Sequence, residues 1–287
     1  AARAVVMLGE GEAAKLGEIG IPSSFGDEHL KIGGVKVILD GSLSSLTGYM
    51  SRPYLGTGSL GMLLLNEDEL YGLLKKAYTN RIWAGVHCIG DKANQIALNV
   101  YQRLAGEKGV PSLLRRIEHA QAVGDADIER FASLGVVAVV NPNHIPLDRE
   151  RAIRYLGLDA RLMYRFRSLL SSGAVLAFSS DAPVASIDPF HLIYCAVERK
   201  DFKEGPELRF YPKERLSLQE ALRACTFGGA QACGMGREIG SIEVGKYADI
   251  LHVSRDIFGG DADALSETEV LATYIGGELV YEKEGEK

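Results

Sequence analysis

The feature that most constrains the fold is a series of short apolar runs separated by helical patterns. Most of the runs lack strict polar alternation, which is typical of parallel strands covered on both faces. They occupy residues 35–40, 82–90, 115–121, 136–142 and 175–181, with another at residues 3–8. Helix patterns lie between and after them, at residues 66–78, 91–109, 125–135, 162–173 and 216–234. The alternation predicts an α/β protein with a parallel sheet, either doubly wound or wrapped into a (β/α) barrel of the TIM type.

The end of the chain has a different sequence pattern. After residue 235, short glycine-punctuated runs such as GSIEVGKYADILHV and VLATYIGGELVYE follow one another without a helix pattern between them. Such runs are typical of strands joined as hairpins. We therefore predict two units, a (β/α) portion over residues 1–235 and a small β appendage over residues 236–287.

The composition of the chain bears on its binding partners and on its cellular location. The formal net charge is −6 and no block of lysine and arginine occurs, which argues against a nucleic-acid partner and against an anionic membrane surface. The longest apolar runs, such as residues 136–140, are too short to span a bilayer. Four widely spaced cysteines without a C-x-x-C pair are typical of reduced thiols. We expect a cytoplasmic protein with a small-molecule partner.

Side chains that can bind a metal or take part in catalysis lie at the ends of the predicted strands. Taken singly, each has an ordinary explanation: a lone strand-end histidine is usually structural, and an aspartate before Ala-Pro often begins a turn. In a (β/α) barrel, however, the carboxyl ends of the strands converge and build the active site. Two histidines and an aspartate at three strand ends, in a chain with six histidines, favour a site. The residues concerned are Lys36, Asp40, His87, His119, Asn141 and Asp181.

Imidazole and carboxylate groups together suit a divalent metal, and zinc is the first choice for them. A catalytic zinc site leaves one position open, where the pKa of water falls to about 7. The carboxylate of Asp181 is then available to take a proton from that water. This chemistry predicts hydrolysis, with Asp181 as the catalytic base.

Several segments in order resemble the metal-dependent amidohydrolase superfamily, and within it the third amidohydrolase family, which includes N-substituted formamide deformylases. The resemblance implies a distorted (β/α) barrel with a β-sandwich built from both chain ends. It also implies hydrolysis of carbon–nitrogen bonds other than peptide bonds, such as amides or cyclic amides, at one or two divalent metals. The segments that carry it are GGVKVILDGSLSS, AGVHCIGDKAN, RRIEHAQ, FSSDAPV and GSIEVGKYADIL.

The resemblance also assigns roles to individual residues. It implies that His87 and His119 are metal ligands on the fifth and sixth barrel strands. Asp181 matches the aspartate of the last strand, which binds metal and acts as the general base. Lys36 matches a lysine that is carboxylated in many members and bridges two metals. A related metal-dependent deaminase would use the same residues, so deamination stays open as an alternative.

One element of the resemblance is missing. Family members carry a His-x-His pair on the first barrel strand, and this chain has none. We therefore expect the C-terminal part of an amidohydrolase, with strands three to eight of an incomplete barrel. Without that pair, metal binding by this chain is expected to be weak or absent, and a non-catalytic fragment or interaction module with a vestigial site is the alternative. The open sheet edges of such a barrel predict self-association into a homo-oligomer.

Three further positions are candidate substrate contacts. Asp40 follows Lys36 closely and either shapes the mouth of the site or forms a plain turn. Asn141 ends the run at residues 136–142 and can hydrogen-bond a substrate. His144, in the segment NPNHIPLD, either reaches the substrate or lies on the surface.

Overall fold

The computed structural model describes residues 2–258 and 262–284 and is built on a curled sheet of six parallel strands. The strands lie side by side in the order in which the chain makes them, with every neighbouring pair parallel. A doubly wound sheet reverses its strand order at a switch point, so this sequential order identifies part of a (β/α) barrel. The strands are β1 (Ala4–Leu8), β2 (Leu30–Ile38), β3 (Ala84–His87), β4 (Arg115–Glu118), β5 (Val136–Val140) and β6 (Leu176–Phe178).

All six apolar runs are strands, and the predicted incomplete barrel with a small β appendage is confirmed. The five residues of β5 are all buried, as expected for a strand covered on both faces. Because all strands are parallel, their carboxyl ends meet at one edge of the sheet. The loops that leave this edge carry the candidate site.

Helices cover the sheet between the strands. Their bounds are α1 (Glu10–Glu18), α2 (Glu67–Thr79), α3 (Asp91–Ala105), α4 (Ile128–Ser133), α5 (Ile145–Leu156), α6 (Phe166–Ser171), α7 (Pro189–Glu198), α8 (Leu218–Arg223) and α9 (Gly229–Ala232). The predicted start of α2 is confirmed, since the Asn66 side chain accepts hydrogen bonds from the backbone of Asp68 and Glu69. The Glu69 carboxylate accepts in turn from the Asn66 backbone, which completes a capping box.

Two helix predictions differ from the structure. The helix predicted at residues 216–234 is divided into α8 and α9 by a π-helical segment, Ala224–Gly228. Gly228 lies so close to β6 that a β-carbon there would be 1.9 Å from a backbone carbonyl oxygen. The helix predicted at residues 162–173 is shorter, because Met163 is extended and Tyr164 has a φ of +55°, so α6 begins only at Phe166. An ion pair joins α6 to α8, with Arg167 Nη1 donating to Glu220 Oε1 at 2.6 Å.

The predicted hairpins at the end of the chain form a second, antiparallel sheet. It consists of β7 (Ile250–Val253), β8 (Val270–Ile275) and β9 (Glu278–Glu282), in the order β7-β8-β9. This part contacts the beginning of the chain, because both Arg3 nitrogens Nε and Nη2 donate to the Asp249 carboxylate. Lys31 of β2 pairs with Glu238 in the same region. The division at residue 235 and the assignment to half of a β-sandwich stay predictions.

The outer strands of the large sheet are β1 and β6 among the residues that the structure describes. Val6 of β1 is 46% exposed, as are Leu30 (55%) and Ile38 (50%) of the adjacent strand β2. Over residues 2–258 and 262–284, no helix is both long enough and apolar enough to cross a membrane.

Candidate metal centre

Three side chains converge beyond the carboxyl ends of β4, β5 and β6. His119 directly follows β4, Asp181 lies in the loop after β6, and His144 ends a short 3-10 turn after β5. One potential ligand atom from each of the three lies within 4.8 Å of the others. In a tetrahedral zinc site with bonds of about 2.0–2.2 Å, neighbouring ligand atoms lie about 3.3–3.6 Å apart, so the side chains must draw together by up to about 1.5 Å to close on an ion.

The backbone is left-handed at two of the three positions. The φ angles are +69° at His119 and +55° at Asp181, and Ala120 also has a positive φ of +39°. For a residue with a β-carbon this conformation costs about 1–3 kcal/mol, and such residues cluster at functional sites. The sharp turns at the strand ends place both side chains beside His144.

Asn141 fixes the tautomer of His119. Its Nδ2 donates to the carbonyl oxygen of Ser179 at 2.9 Å, so its Oδ1 must be the atom that faces His119 Nδ1 at 2.9 Å. Because Oδ1 only accepts, Nδ1 of His119 carries the hydrogen, and Nε2 of the neutral ring keeps its lone pair. A hydrogen bond of this kind behind a ligating histidine orients the ring and raises its basicity.

Burial keeps the histidines of this group neutral. It lowers the pKa of His119 well below the usual value, and the nearby His87 and Lys36 charges lower it further. Burial also lowers the pKa of His144. His144 Nε2 is buried and has no hydrogen-bond partner within the described residues, and it lies 3.7 Å from Asp181 Oδ2. A buried, unpartnered imidazole nitrogen beside a carboxylate is the donor set that a zinc ion satisfies.

His87 lies next to this group but does not belong to it. Its ring packs edge-on against the ring of His119, with the centroids 4.5 Å apart, so the two histidines share one pocket as predicted. Its Nε2, however, donates to the carbonyl oxygen of Gly41 at 3.0 Å and therefore carries a hydrogen. In this arrangement Nε2 has no lone pair for a metal, and a ligand role for His87 stays a prediction.

Lys36 is directed to the same region from β2. Burial lowers the pKa of its ammonium group, while Glu118 and Asp181 act in the opposite sense. Glu118 is held by Arg116, whose Nη2 donates to Glu118 Oε2 at 2.8 Å, and both side chains are largely buried. A lowered pKa favours the neutral amine that carboxylation requires, so the structure is compatible with the predicted role of Lys36 and does not test it.

Asp40 occupies a structural position. Its side chain is fully buried and accepts hydrogen bonds from the backbone N–H groups of Tyr49, Ile89 and Gly90. Burial raises its pKa to about 7, against the opposing effect of these three bonds. With its oxygens occupied, Asp40 joins the loop after β2 to the loop after β3, and its Oδ1 lies 3.7 Å from His87 Nε2. A substrate contact by Asp40 stays a prediction.

Two of these residues have contacts that the sequence did not predict. Asn141, a candidate substrate contact, is 2% exposed and bonded to His119. His144, expected either to reach the substrate or to lie on the surface, is buried among the candidate ligands. A substrate contact by either residue stays a prediction. The one available signal was the segment Asn-Pro-Asn-His directly after a buried strand. Its proline begins the 3-10 turn, Pro142–His144, that returns the histidine to the strand end.

Comparison with known proteins matches this chain to one protein family and to several of its members. Residues 2–281 match the protein family described as the amidohydrolase family. Protein LONG AFTER FAR-RED 3 from Arabidopsis thaliana is 36% identical over 260 residues, which cover 88% of this chain and 44% of that protein. The putative amidohydrolase YtcJ from Bacillus subtilis is 31% identical, covering 89% and 48%. N-substituted formamide deformylase from Arthrobacter pascens is 31% identical, covering 79% and 41%.

Solved structures agree with these relatives. An uncharacterized metal-dependent hydrolase from Pyrococcus furiosus superposes with a TM-score of 0.74 at 32% identity, covering 86% of this chain and 49% of its own. The ochratoxinase of A. niger has a TM-score of 0.64 at 16% identity and shares the fold. This chain thus spans about half the length of the proteins it matches or somewhat less. From the matched family and the relatives above 30% identity, the chain belongs to the amidohydrolase family.

Proposed function

We propose that this chain carries the metal-binding half of the active site of a hydrolase that cleaves carbon–nitrogen bonds outside peptides. The observation that supports the proposal is the convergence of His119, His144 and Asp181 at the carboxyl edge of the sheet. Two neutral imidazoles and one carboxylate form the ligand set of many catalytic zinc sites. The proposed cofactor is therefore a divalent metal, with zinc as the first choice.

In this proposal the three side chains hold the ion and His119 is oriented by Asn141. The bound metal would supply Lewis acidity and lower the pKa of water at the site. The Asp181 carboxylate is 39% exposed, so it can accept a proton from an attacking water and deliver it to the leaving nitrogen. His119 and His144 are buried, and electrostatic interactions made by buried groups are stronger than those made in water.

The family favours hydrolysis at carbon–nitrogen bonds. One relative is named N-substituted formamide deformylase, which supports an amide or cyclic amide as the substrate class. Another, at 27% identity over 179 residues, is named 5-methylthioadenosine/S-adenosylhomocysteine deaminase, so deamination by the same residues is the second candidate. Trials with matched amide and aminopyrimidine or aminopurine substrates separate the two reactions.

Zinc titration of the chain tests the metal centre. We expect one zinc ion to bind per chain, and His144→Ala to weaken binding by more than the roughly 10–100-fold that loss of an outer hydrogen-bond partner causes. His252→Ala is the matched control, because His252 is exposed on β7 and far from the site in sequence and sheet. Zinc binding that is equal in both variants would contradict the proposed ligand set. It would favour the non-catalytic alternative, in which the chain serves as an interaction module.

We also propose that the chain associates with itself through the edges of the large sheet. Edge strands present unpaired backbone donors and acceptors, and the half-exposed Val6 adds apolar surface on β1. Light scattering at micromolar concentration should detect a dimer, and Val6→Lys should shift it toward the monomer. A monomeric unaltered chain would refute this proposal.

A further inference from the structure

A cavity of about 360 Å³ adjoins two of the candidate ligands. Leu147, on one wall, follows His144 by three residues in the helical backbone that begins α5, so their β-carbons are about 5–6 Å apart. Val184, on another wall, donates its backbone N–H to the carbonyl oxygen of Asp181 at 2.9 Å. A turn of this kind keeps the two α-carbons within about 7 Å. The proposed mechanism leaves this cavity without a use.

The charged groups in the walls of the cavity are already bonded. Glu204 accepts from Arg149, with Nη1 and Nη2 donating at 2.8 and 2.7 Å. Asp201 accepts from His191 Nε2 at 3.0 Å and from the backbone N–H of Lys203 at 3.1 Å. None of the described residues that line the cavity is a lysine or an arginine. Neither carboxylate is therefore free to anchor an ammonium group, and the lining holds no cation for an anionic group.

The unpartnered polar atoms of two lining residues do not face the cavity. Asn143 is 1% exposed, and its Nδ2 donates to the carbonyl oxygens of Ser180 and Ser186, each at 3.1 Å. The Oδ1 atom of Asn143 and the Nδ1 atom of His191 are both closed to solvent. A ligand in the cavity therefore gains no hydrogen bond from these two atoms, and hydrocarbon decides what binds.

Apolar side chains supply the accessible hydrocarbon of the walls. Leu147 is 57% exposed and Val184 is 66% exposed, so a bound apolar group would remove hydrocarbon of both from water. A cavity of about 150 Å³ already holds a benzene molecule, and small-molecule sites span about 300–1,000 Å³. The cavity therefore has the size of a site for one ring. The apolar lining residues are Pro146, Leu147, Val184 and Ala185.

We infer that this cavity binds an uncharged, ring-sized apolar group of the substrate. The inference rests on the proposed function and narrows it: the substrate is an amide with a neutral ring close to the carbon–nitrogen bond that is cleaved. The link is short because the apolar walls lie within one turn of His144 and Asp181. A carboxylate on the ring would meet Asp201 and Glu204 without a lining cation, so the cavity rejects it.

Three amides test the cavity. N-phenylacetamide carries the ring, N-methylacetamide lacks it, and 4-acetamidobenzoate adds a carboxylate to it. Binding of each to the chain is measured at pH 7.5 by NMR titration, without added metal. We expect N-phenylacetamide to bind at least tenfold more tightly than either of the others. An affinity for N-methylacetamide or for 4-acetamidobenzoate equal to that for N-phenylacetamide would overturn the inference.

Two variants locate the binding. Leu147→Asp adds a carboxylate to the wall from the first turn of α5, where an acidic residue stabilises a helix, so the chain should fold. Val184→Trp fills the cavity from an exposed position. Each should weaken N-phenylacetamide binding at least tenfold, and full binding by both variants would refute the inference. Leu158→Asp, at an 88% exposed position outside the lining, is the matched control and should bind normally.

Two further measurements separate the alternatives. Zinc binding is scored in the same samples: a chain that binds the ring but no zinc contradicts the proposed function, and one that binds zinc but not the ring contradicts this inference alone. Light scattering is recorded with and without N-phenylacetamide. A dimer that the ring disperses would mean that a second copy fills the cavity, which would also overturn the inference.

Discussion

The replacement Asn141→Ala tests whether Asn141 positions His119 for the proposed metal. It deletes the acceptor at His119 Nδ1 and the donor at the Ser179 carbonyl, two bonds of 2.9 Å around a side chain that is 2% exposed. Each buried partner left without a bond costs about 1–3 kcal/mol. A water molecule that enters the space recovers part of this. We therefore expect the free energy of unfolding to fall by about 2–4 kcal/mol.

The same replacement should weaken zinc binding by about 10–100-fold, because the His119 ring loses the bond that sets its orientation and tautomer. Urea unfolding gives the first quantity, and competition with a chromophoric chelator gives the second. Asn141→Asp keeps an acceptor toward His119 but faces the Ser179 carbonyl with an oxygen. It should therefore lose stability while retaining most of the zinc affinity.

Asn99→Ala is the matched control, since the Asn99 side chain bonds Glu67 and Arg130 at the helix surface. We expect a change below about 1 kcal/mol and unaltered zinc binding. If Asn141→Ala lost stability as calculated but bound zinc as tightly as the unaltered chain, the positioning role of Asn141 would be refuted.

Three other substitutions probe the scaffold. Gly228→Ala would place a methyl group 1.9 Å from a backbone carbonyl oxygen of β6, so we expect thermal unfolding to show that the free energy of unfolding falls by about 1–3 kcal/mol. An unchanged free energy of unfolding would mean that the π-helical segment can shift to make room. Glu118→Ala leaves the largely buried guanidinium of Arg116 without its carboxylate, so urea unfolding should show that the free energy of unfolding falls by about 3–5 kcal/mol. A fall of less than about 1 kcal/mol, as for a surface ion pair, would contradict this expectation. The hydrogen bonds from Arg167 lower the pKa of Glu220 from 4.5 to about 2, so the carboxylate stabilises the fold above pH 4.5 and this contribution disappears as the pH falls toward 2. Glu220→Gln should therefore be less stable than the unaltered chain at pH 7, with the difference shrinking on acidification; a difference independent of pH would contradict this assignment.

Much of the barrel could be predicted because its signals are local. Residues 136–140 are apolar throughout, and the buried strand β5 follows from that pattern alone. The asparagine cap of α2 was equally readable, since a capping box needs only residues three apart. His119 and Asp181 were candidates because each lies near the end of a predicted strand.

The features that were missed depend on contacts distant in sequence. The π-helical break at Ala224–Gly228 accompanies the close approach of Gly228 to β6, about 50 residues earlier in the chain, which no helical periodicity reveals. The role of Asn141 depends on the donor at Nδ2 meeting a carbonyl 38 residues away. Asp40 was expected either to shape the mouth of the site or to form a plain turn, and the bonds that its carboxylate accepts from Tyr49 of its own loop and Ile89 of the loop after β3 could not be read from the sequence. Such partners exist only once the sheet has formed.

The left-handed backbone at His119 and Asp181 has a consequence for protein engineering. Glycine adopts this conformation without steric cost, so a glycine at either position would relieve about 1–2 kcal/mol of strain. Random mutagenesis scored only by heat resistance or yield would therefore tend to enrich variants that have discarded these two side chains. A screen for more stable variants of this protein therefore needs a measurement of zinc binding at every round. The gain in stability and the loss of the proposed metal site would come from substitutions at the same two positions.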